Sequence, residues 1–217
     1  IENKMWNRLG TQHKNRKDGK EWHGTIVACH SKKRAMDIER EACECFGRNS
    51  VILYTGETCD KQKARDFSNA TDAWKNALVV IYTSTVSVGV SDNSPHIDTV
   101  FAYYVNGNTC AATAAQMLFR ARQVKDIHIL YTQSKCYGLP RTRDALLKWA
   151  TLAHNRLEIP DEFRDDRTPM IKEQSSKCPK ALSDVVDGFE GRIWVNAKIE
   201  QMRSQSDFAG RLKSILT

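Results

Sequence analysis

At 217 residues the chain is long enough for one full hydrophobic core with an appendage, or for two small domains. Its 41% hydrophobic and 27% charged residues are those of an ordinary globular chain, and its longest apolar run, Ala77 to Tyr82, is far too short to cross a bilayer. A net charge of +7 points to a polyanionic partner, nucleic acid being the simplest, with plain solubility charge as the alternative.

Seven cysteines without regular spacing fit a reducing compartment better than a disulfide scaffold. Cys43 and Cys45 lie two apart in a helical stretch and so point to different faces. With no C-x-x-C pair and no zinc-type His spacing, no metal site is expected. Nothing apolar follows Ile1-Glu2-Asn3-Lys4, so no signal peptide is expected, and a start at Ile1 suggests a piece of a longer polypeptide.

Residues 1–24 read as a short helix with Ile1, Met5, Trp6 and Leu9, then a polar basic loop over 13–20 acting as a linker. Thr25-Ile26-Val27-Ala28-Cys29 is a first buried strand. It is followed by His30-Ser31-Lys32-Lys33-Arg34 and a helix with Ala35, Ile38, Ala42 and Cys45 on one face, closed by Gly47. Val51 to Tyr54 is a second strand, ending in Thr55-Gly56, and Asp60 is placed to cap a polar helix through Phe67. Asp72 to Asn76 is a helical turn or loop. Leu78 to Tyr82, Thr99 to Tyr104 and Ile127 to Tyr131 are further strands, and an Ala-rich helix running through Arg122 lies between the last two.

This alternation predicts an α/β fold, a mostly parallel sheet with helices on both faces, over roughly 25–135. Beyond it, Leu139-Pro140 breaks the chain. Thr142 caps an amphipathic helix with Leu146, Ala150, Ala153 and Leu157 in register, Asp161 to Lys180 is loop, and 181–217 is helical. Residues 136–217 therefore read as a mainly helical extension, and no internal repeat is present.

In open α/β sheets, ligands sit at the carboxyl ends of the strands. Here three strand-end segments are rich in hydroxyl, Gly or Lys: Ser31-Lys32, Thr55-Gly56, and Thr83 to Ser91, which includes Thr85 and Gly89. Together they suit a surface that tracks a sugar–phosphate backbone. Tyr103 and Tyr104 are more readily read as packing residues than as base-stacking platforms. No Walker-type phosphate loop and no catalytic triad elbow is present, and Asp161-Glu162 follows no buried strand, so the chain lacks a cradle for a nucleoside triphosphate. It can only complete one. Arg120 and Arg122, with Gln116 one turn earlier, have the chemistry to reach a γ-phosphate held by a neighbouring domain. The plainer alternative is a solvated basic helix end favoured by its own dipole.

The order of these segments resembles the second RecA-like domain of a superfamily 2 helicase. Thr25 to Arg34, Tyr54-Thr55-Gly56, Ile81 to Asp92, and Gln116-Met117-Leu118-Phe119-Arg120-Ala121-Arg122 are similar to its successive motifs. The wording Tyr-Thr-Ser-Thr-Val-Ser-Val-Gly-Val-Ser and Gln-x-x-x-Arg-x-Arg is most similar to replication origin-binding protein helicases of herpesvirus type. The sequence departs from the wider superfamily pattern at Phe119, where Gly is usual, and at Gln123, where a second arginine is usual.

The resemblance implies an ATP-dependent DNA helicase half. Arg120 is its principal arginine finger, Arg122 a second cation, and Gln116 orients water or phosphate. Gly89 and Ser91 lie near the nucleotide, and Ser31, Lys32, Thr55, Gly56, Thr83 and Thr85 lie along the DNA track. It further implies ATP and Mg²⁺ held mainly by an N-terminal RecA-like domain of the same protein, and single-stranded or duplex DNA as partner. No membrane role follows, only an intracellular place at sites of DNA replication, and the isolated chain is expected to be inactive. The other readings are a non-catalytic basic nucleic-acid-binding α/β module and an RNA helicase half.

Overall fold

Five runs of β-branched and aromatic residues pair into one sheet: β1 Gly24–Cys29, β2 Val51–Tyr54, β3 Val79–Tyr82, β4 Ile97–Val105 and β5 Asp126–Thr132. The computed structural model describes residues 1–86, 90–105, 109–133, 140–151 and 189–217. The strand order is β2-β3-β1-β4-β5 and every pairing is parallel, with Val27 opposite both Ile81 and Phe101. Parallel pairing throughout puts the carboxyl ends of all five strands on one edge. The loops after β2, β3 and β1 are therefore consecutive along that edge.

The two-residue period of a strand divides the sheet's side chains between two cores. Ile26, Ala28, Val80, Tyr82, Val100 and Tyr104 face one side. There they meet α4 (Ala70–Trp74), α5 (Ala111–Leu118) and a late helix, α8 (Phe208–Leu216), with Phe67 of α3 (Asp60–Ser68) at the margin. Val27, Val79, Ile81, Phe101 and Tyr103 face the other side, covered by α1 (Glu2–Lys17) and α2 (Lys32–Phe46). The α/β class, the parallel sheet flanked on both faces and the helical C-terminal part are as the sequence leads one to expect, an arrangement consistent with a RecA-like fold. Tyr103 and Tyr104 are buried packing residues.

Local chemistry explains the element ends. Ser31 caps α2, its Oγ accepting from Arg34 N at 3.3 Å, and Gly47 ends that helix at φ 84. Gly24 starts β1 where a Cβ would lie 2.9 Å from Ala77 O and from His96 Nε2, so only glycine fits without a shift.

Three local expectations are corrected. Residues 13–17 continue α1 rather than forming a loop: Lys14, Arg16 and Lys17 complement the helix's negative end, and Arg16 lies over Trp22 at 4.8 Å. Asp60 is the first residue of α3 and not its cap, because its carboxylate pairs with Lys63 at 2.8 Å one turn on. Finally, α5 ends at Leu118, so Arg120 and Arg122 lie beyond the helix, flanking Ala121 in a short turn.

The chain divides into two compact units, residues 1–135 with 208–217, and residues 136–207. Thus α1, with Met5 and Leu9 fully buried, belongs with the sheet and not to a free linker, and α8 rejoins the sheet after the second unit has been traversed. In the second unit, α6 (Arg143–Thr151) is capped by Thr142, whose Oγ1 accepts from Ala145 N at 3.3 Å. It meets α7 (Phe189–Ser206) through Leu146, Val195, Ile199 and Met202. Ala153, Leu157 and the expected loop from Asp161 to Lys180 lie outside the described residues.

Phe208 anchors α8. It is 1% exposed, stacks on Tyr131 with centroids 5.6 Å apart, and meets His30 edge-on at 5.5 Å. Replacing Phe208 by Ala should cost about 3–5 kcal/mol in urea denaturation. The same truncation at exposed Met36 should cost about 0.5 kcal/mol or less.

Candidate functional site

The polar groups at the carboxyl edge fall into two clusters. The first comprises the ends of β1, β2 and β3. Thr83 N donates to Tyr54 O at 3.1 Å, which ties the β3 loop to the end of β2, and Thr83 Oγ1 lies 3.1 Å from Thr85 Oγ1. Thr55 closes a tight turn: its N donates to Thr58 Oγ1 at 2.9 Å and its Oγ1 accepts from Glu57 N at 3.2 Å. Lys32, exposed at the start of α2, pairs with Glu57 beyond Thr55 and so links the β1 and β2 loops. Gly56 is exposed beside them. Several of these hydroxyls already serve their own loops: Ser31 is a helix cap, and Thr55 and Thr83 are largely buried. On this edge Ser84 is exposed and Thr85 half-buried against Thr83, while the exposed Lys32 ammonium is held by its surface pair with Glu57.

His30 sits behind the first cluster. Its ring stacks on Tyr104 at 4.2 Å, its Nδ1 lies 2.9 Å from Val105 O, and burial lowers its pKa.

The second cluster is built on the tail of the β3 loop. α5 crosses the sheet instead of running down it: Tyr104 Oη of β4 donates to Ala114 O at 2.8 Å and Tyr82 Oη of β3 donates to Met117 O at 2.6 Å. The helix end is thereby delivered to β3. From there the chain turns and forms one isolated parallel bridge with the loop, Asp92 opposite Ala121, through Asp92 N to Arg120 O at 2.7 Å and Arg122 N to Asp92 O at 2.8 Å.

Both arginines lie against this loop. Arg120 is 7% exposed and its Nη1 donates to Val90 O at 3.2 Å, while Arg122, exposed, donates from Nε to Ser91 Oγ at 3.0 Å. The Nε of Arg120 has no hydrogen-bond partner, and no carboxylate lies within ion-pair distance of its guanidinium, among the described residues. Burial lowers its pKa, with Tyr82 opposing that and Arg122 adding to it. A buried donor left unpaired costs about 1–3 kcal/mol, more when charged. An anion brought to this guanidinium would relieve that cost.

The structure thus gathers Arg120, Arg122 and Ser91 in one place, and Thr83, Thr85, Thr55, Lys32 and Gly56 in another along the same loop system. Gln116 is exposed on α5, and the arginine side chains bond to Val90 and Ser91 instead. Gly89 lies outside the described residues.

Sequence reading missed Asp92. It is wholly buried, and its Oδ1 accepts from Thr71 Oγ1 at 2.9 Å, Ser94 N at 3.0 Å and Ser94 Oγ at 2.8 Å. The run Asp-Asn-Ser before a strand was a readable Asx-turn signal. The approach of Thr71 from a distant helix was not readable.

Comparisons with known proteins bear on the same stretch. A family model described as origin of replication binding protein matches residues 51–134, which takes in both arginines and the β3 loop but not Ser31 or Lys32. The chain is 26% identical over 114 residues to a putative helicase/primase complex protein of African swine fever virus (isolate Warthog/Namibia/Wart80/1980), covering 52% of this chain and 10% of that one. It is 31% identical over 87 residues to a putative replication origin-binding protein of Acanthamoeba polyphaga mimivirus, covering 39% of this chain and 11% of that one. The chain therefore spans about a tenth of the length of these relatives. Among solved structures, the DUF1998 helicase MrfA bound to DNA overlays 52% of this chain and 16% of its own, with a TM-score of 0.40 and 20% identity, a likeness too slight to bear on the site.

The His30 environment sets a pH dependence. The fold favours the neutral ring, so the unfolded chain takes up a proton first as pH falls below the ordinary value of 6.5. Stability should be full above that value and decline below it until the folded form also protonates, His13 and His128 acting in the same direction. Denaturation midpoints measured from pH 7 down to about pH 5 should fall, and His30→Gln should flatten the decline.

Proposed function

We propose that this chain is the C-terminal motor half of an ATP-dependent DNA helicase acting in replication, of origin-binding protein type. In this reading it is the second of two RecA-like domains. The first, elsewhere in the same protein, holds ATP and Mg²⁺, and this one supplies the arginine finger and part of a single-strand track. The observation that carries the proposal is the buried Arg120 guanidinium, held by a carbonyl and lacking a counter-anion among the described residues. Supporting it are the family-model match over 51–134 and the relatives named for helicase/primase and origin-binding roles. The work takes place inside the cell, where DNA is replicated. No helix among the described residues is long and apolar enough to cross a membrane.

The physics follows from the two clusters. When the domains close on ATP, Arg120 would donate charge-assisted hydrogen bonds from its planar fork to the γ-phosphate oxygens. Charge that develops on the phosphoryl group in the transition state is met by a cation already in position, a contribution of about 10³- to 10⁵-fold in rate. Arg122, joined to Ser91, completes the cationic wall. DNA lies along the Thr83, Thr85 and Lys32 edge, so one loop touches DNA at its head and the arginines at its tail. Opening and closing of the cleft then moves the strand.

Two measurements on the full-length protein test this reading. Arg120→Ala should lower ATP turnover by about 10³-fold or more while single-strand DNA affinity at fixed salt holds. Loss of both together would place Arg120 in the DNA surface or the fold. Lys32→Ala should weaken binding to single strands of any sequence and reduce the slope of log affinity against log salt by about 0.7; an unchanged slope would remove Lys32 from the track.

A further inference from the structure

We infer that Asp92 is the positioning residue for the arginine pair, acting through its bond to Thr71; this rests on the arginine-finger reading above. In a parallel bridge, residues opposite one another point to the same side, and their neighbours point to the other. Asp92 and Ala121 are such a pair, and both are buried. Ser91 and Arg122 lie on the opposite, outer side and bond to each other. Asp92 therefore makes no ion pair with the arginines: it fixes them from behind.

Its main chain grips the arginine segment on both flanks, at Arg120 O and Arg122 N. Its carboxylate grips α4 through Thr71 Oγ1 and folds its own loop back through Ser94. The Thr71 hydroxyl closes the circuit, since it also accepts from Asn93 N at 3.3 Å.

This circuit fixes Val90 and Ser91, the two residues that hold Arg120 and Arg122. Three donors on one buried carboxylate oxygen are strong, directional restraints. A catalytic cation must stand within a fraction of an ångström of its place, and a displacement of about 1 Å can cost on the order of 10²-fold in rate. Thr71 is half-buried on a five-residue helix and bonds to neither guanidinium, so its effect on turnover runs through the Asp92–Asn93 turn that it holds.

The test uses the full-length protein with Thr71→Val, which keeps the shape and removes the hydroxyl, and Thr71→Ser, which restores it. Thr71→Val should lower kcat by about 10- to 100-fold, leave the KM for ATP and the affinity for single-strand DNA in place, and speed hydrogen exchange in the peptide spanning Arg122. Thr71→Ser should recover both kcat and exchange. On an Arg120→Ala background, Thr71→Val should cost nothing more, because a misplaced finger and a missing one are equivalent. Unchanged kcat and exchange in Thr71→Val overturn the positioning role while Arg120 stands. An equal further loss on the Arg120→Ala background overturns it in favour of a general structural role. Full turnover in Arg120→Ala alone overturns the finger reading, and this inference with it.

Discussion

Two main-chain hydrogen bonds, from Asp92 to Arg120 and from Arg122 back to Asp92, bring two distant stretches of sequence into a single feature. Without them the arginines would follow α5 as a solvated helix end, and the β3 loop would have no fixed tail. The pairing is a single bridge made outside the helix, which ends at Leu118. A helix carried through Arg122 would have spent the Arg122 N–H on its own turn. It is instead used across the gap, and both guanidinium groups follow the backbone onto the loop.

The cost of this arrangement is visible at Arg120. A guanidinium normally seeks a carboxylate when water is removed, yet the nearest buried carboxylate, Asp92, is turned inward toward Thr71 and Ser94. Arg120 is left with one carbonyl and a bare Nε. Natural chains rarely tolerate such a group unless something else supplies the missing charge. The hydroxyls along the edge show the opposite economy, several being engaged in caps and turns. Contact with a sugar–phosphate backbone there would draw on Ser84, and on Lys32 and Thr85 once released from Glu57 and Thr83, more than on Ser31 or Thr55.

All five strands were legible in the sequence because each is a short run of apolar and β-branched residues between polar or helical stretches; which side chains face which core is seen only in the fold. Arg120 and Arg122 were singled out in the sequence by motif resemblance more than by physics. What could not be read were the pairings between elements far apart in sequence. Nothing local at Thr71 announces a bond to Asp92, and nothing in His13 to Lys17 distinguishes a basic loop from a basic helix end until Arg16 finds Trp22. Asp60 failed as a cap for a local reason: Lys63, one turn on, offered its carboxylate a better partner.

The return of α8 to the sheet has a consequence for how the protein is made. The groove that receives Phe208 is walled by His30, Tyr104 and Tyr131, all of which leave the ribosome long before residue 208 does. During that interval the nascent sheet presents these aromatic rings to solvent with Phe208 still untranslated. A pause in translation between Lys135 and Phe208 would lengthen the exposure.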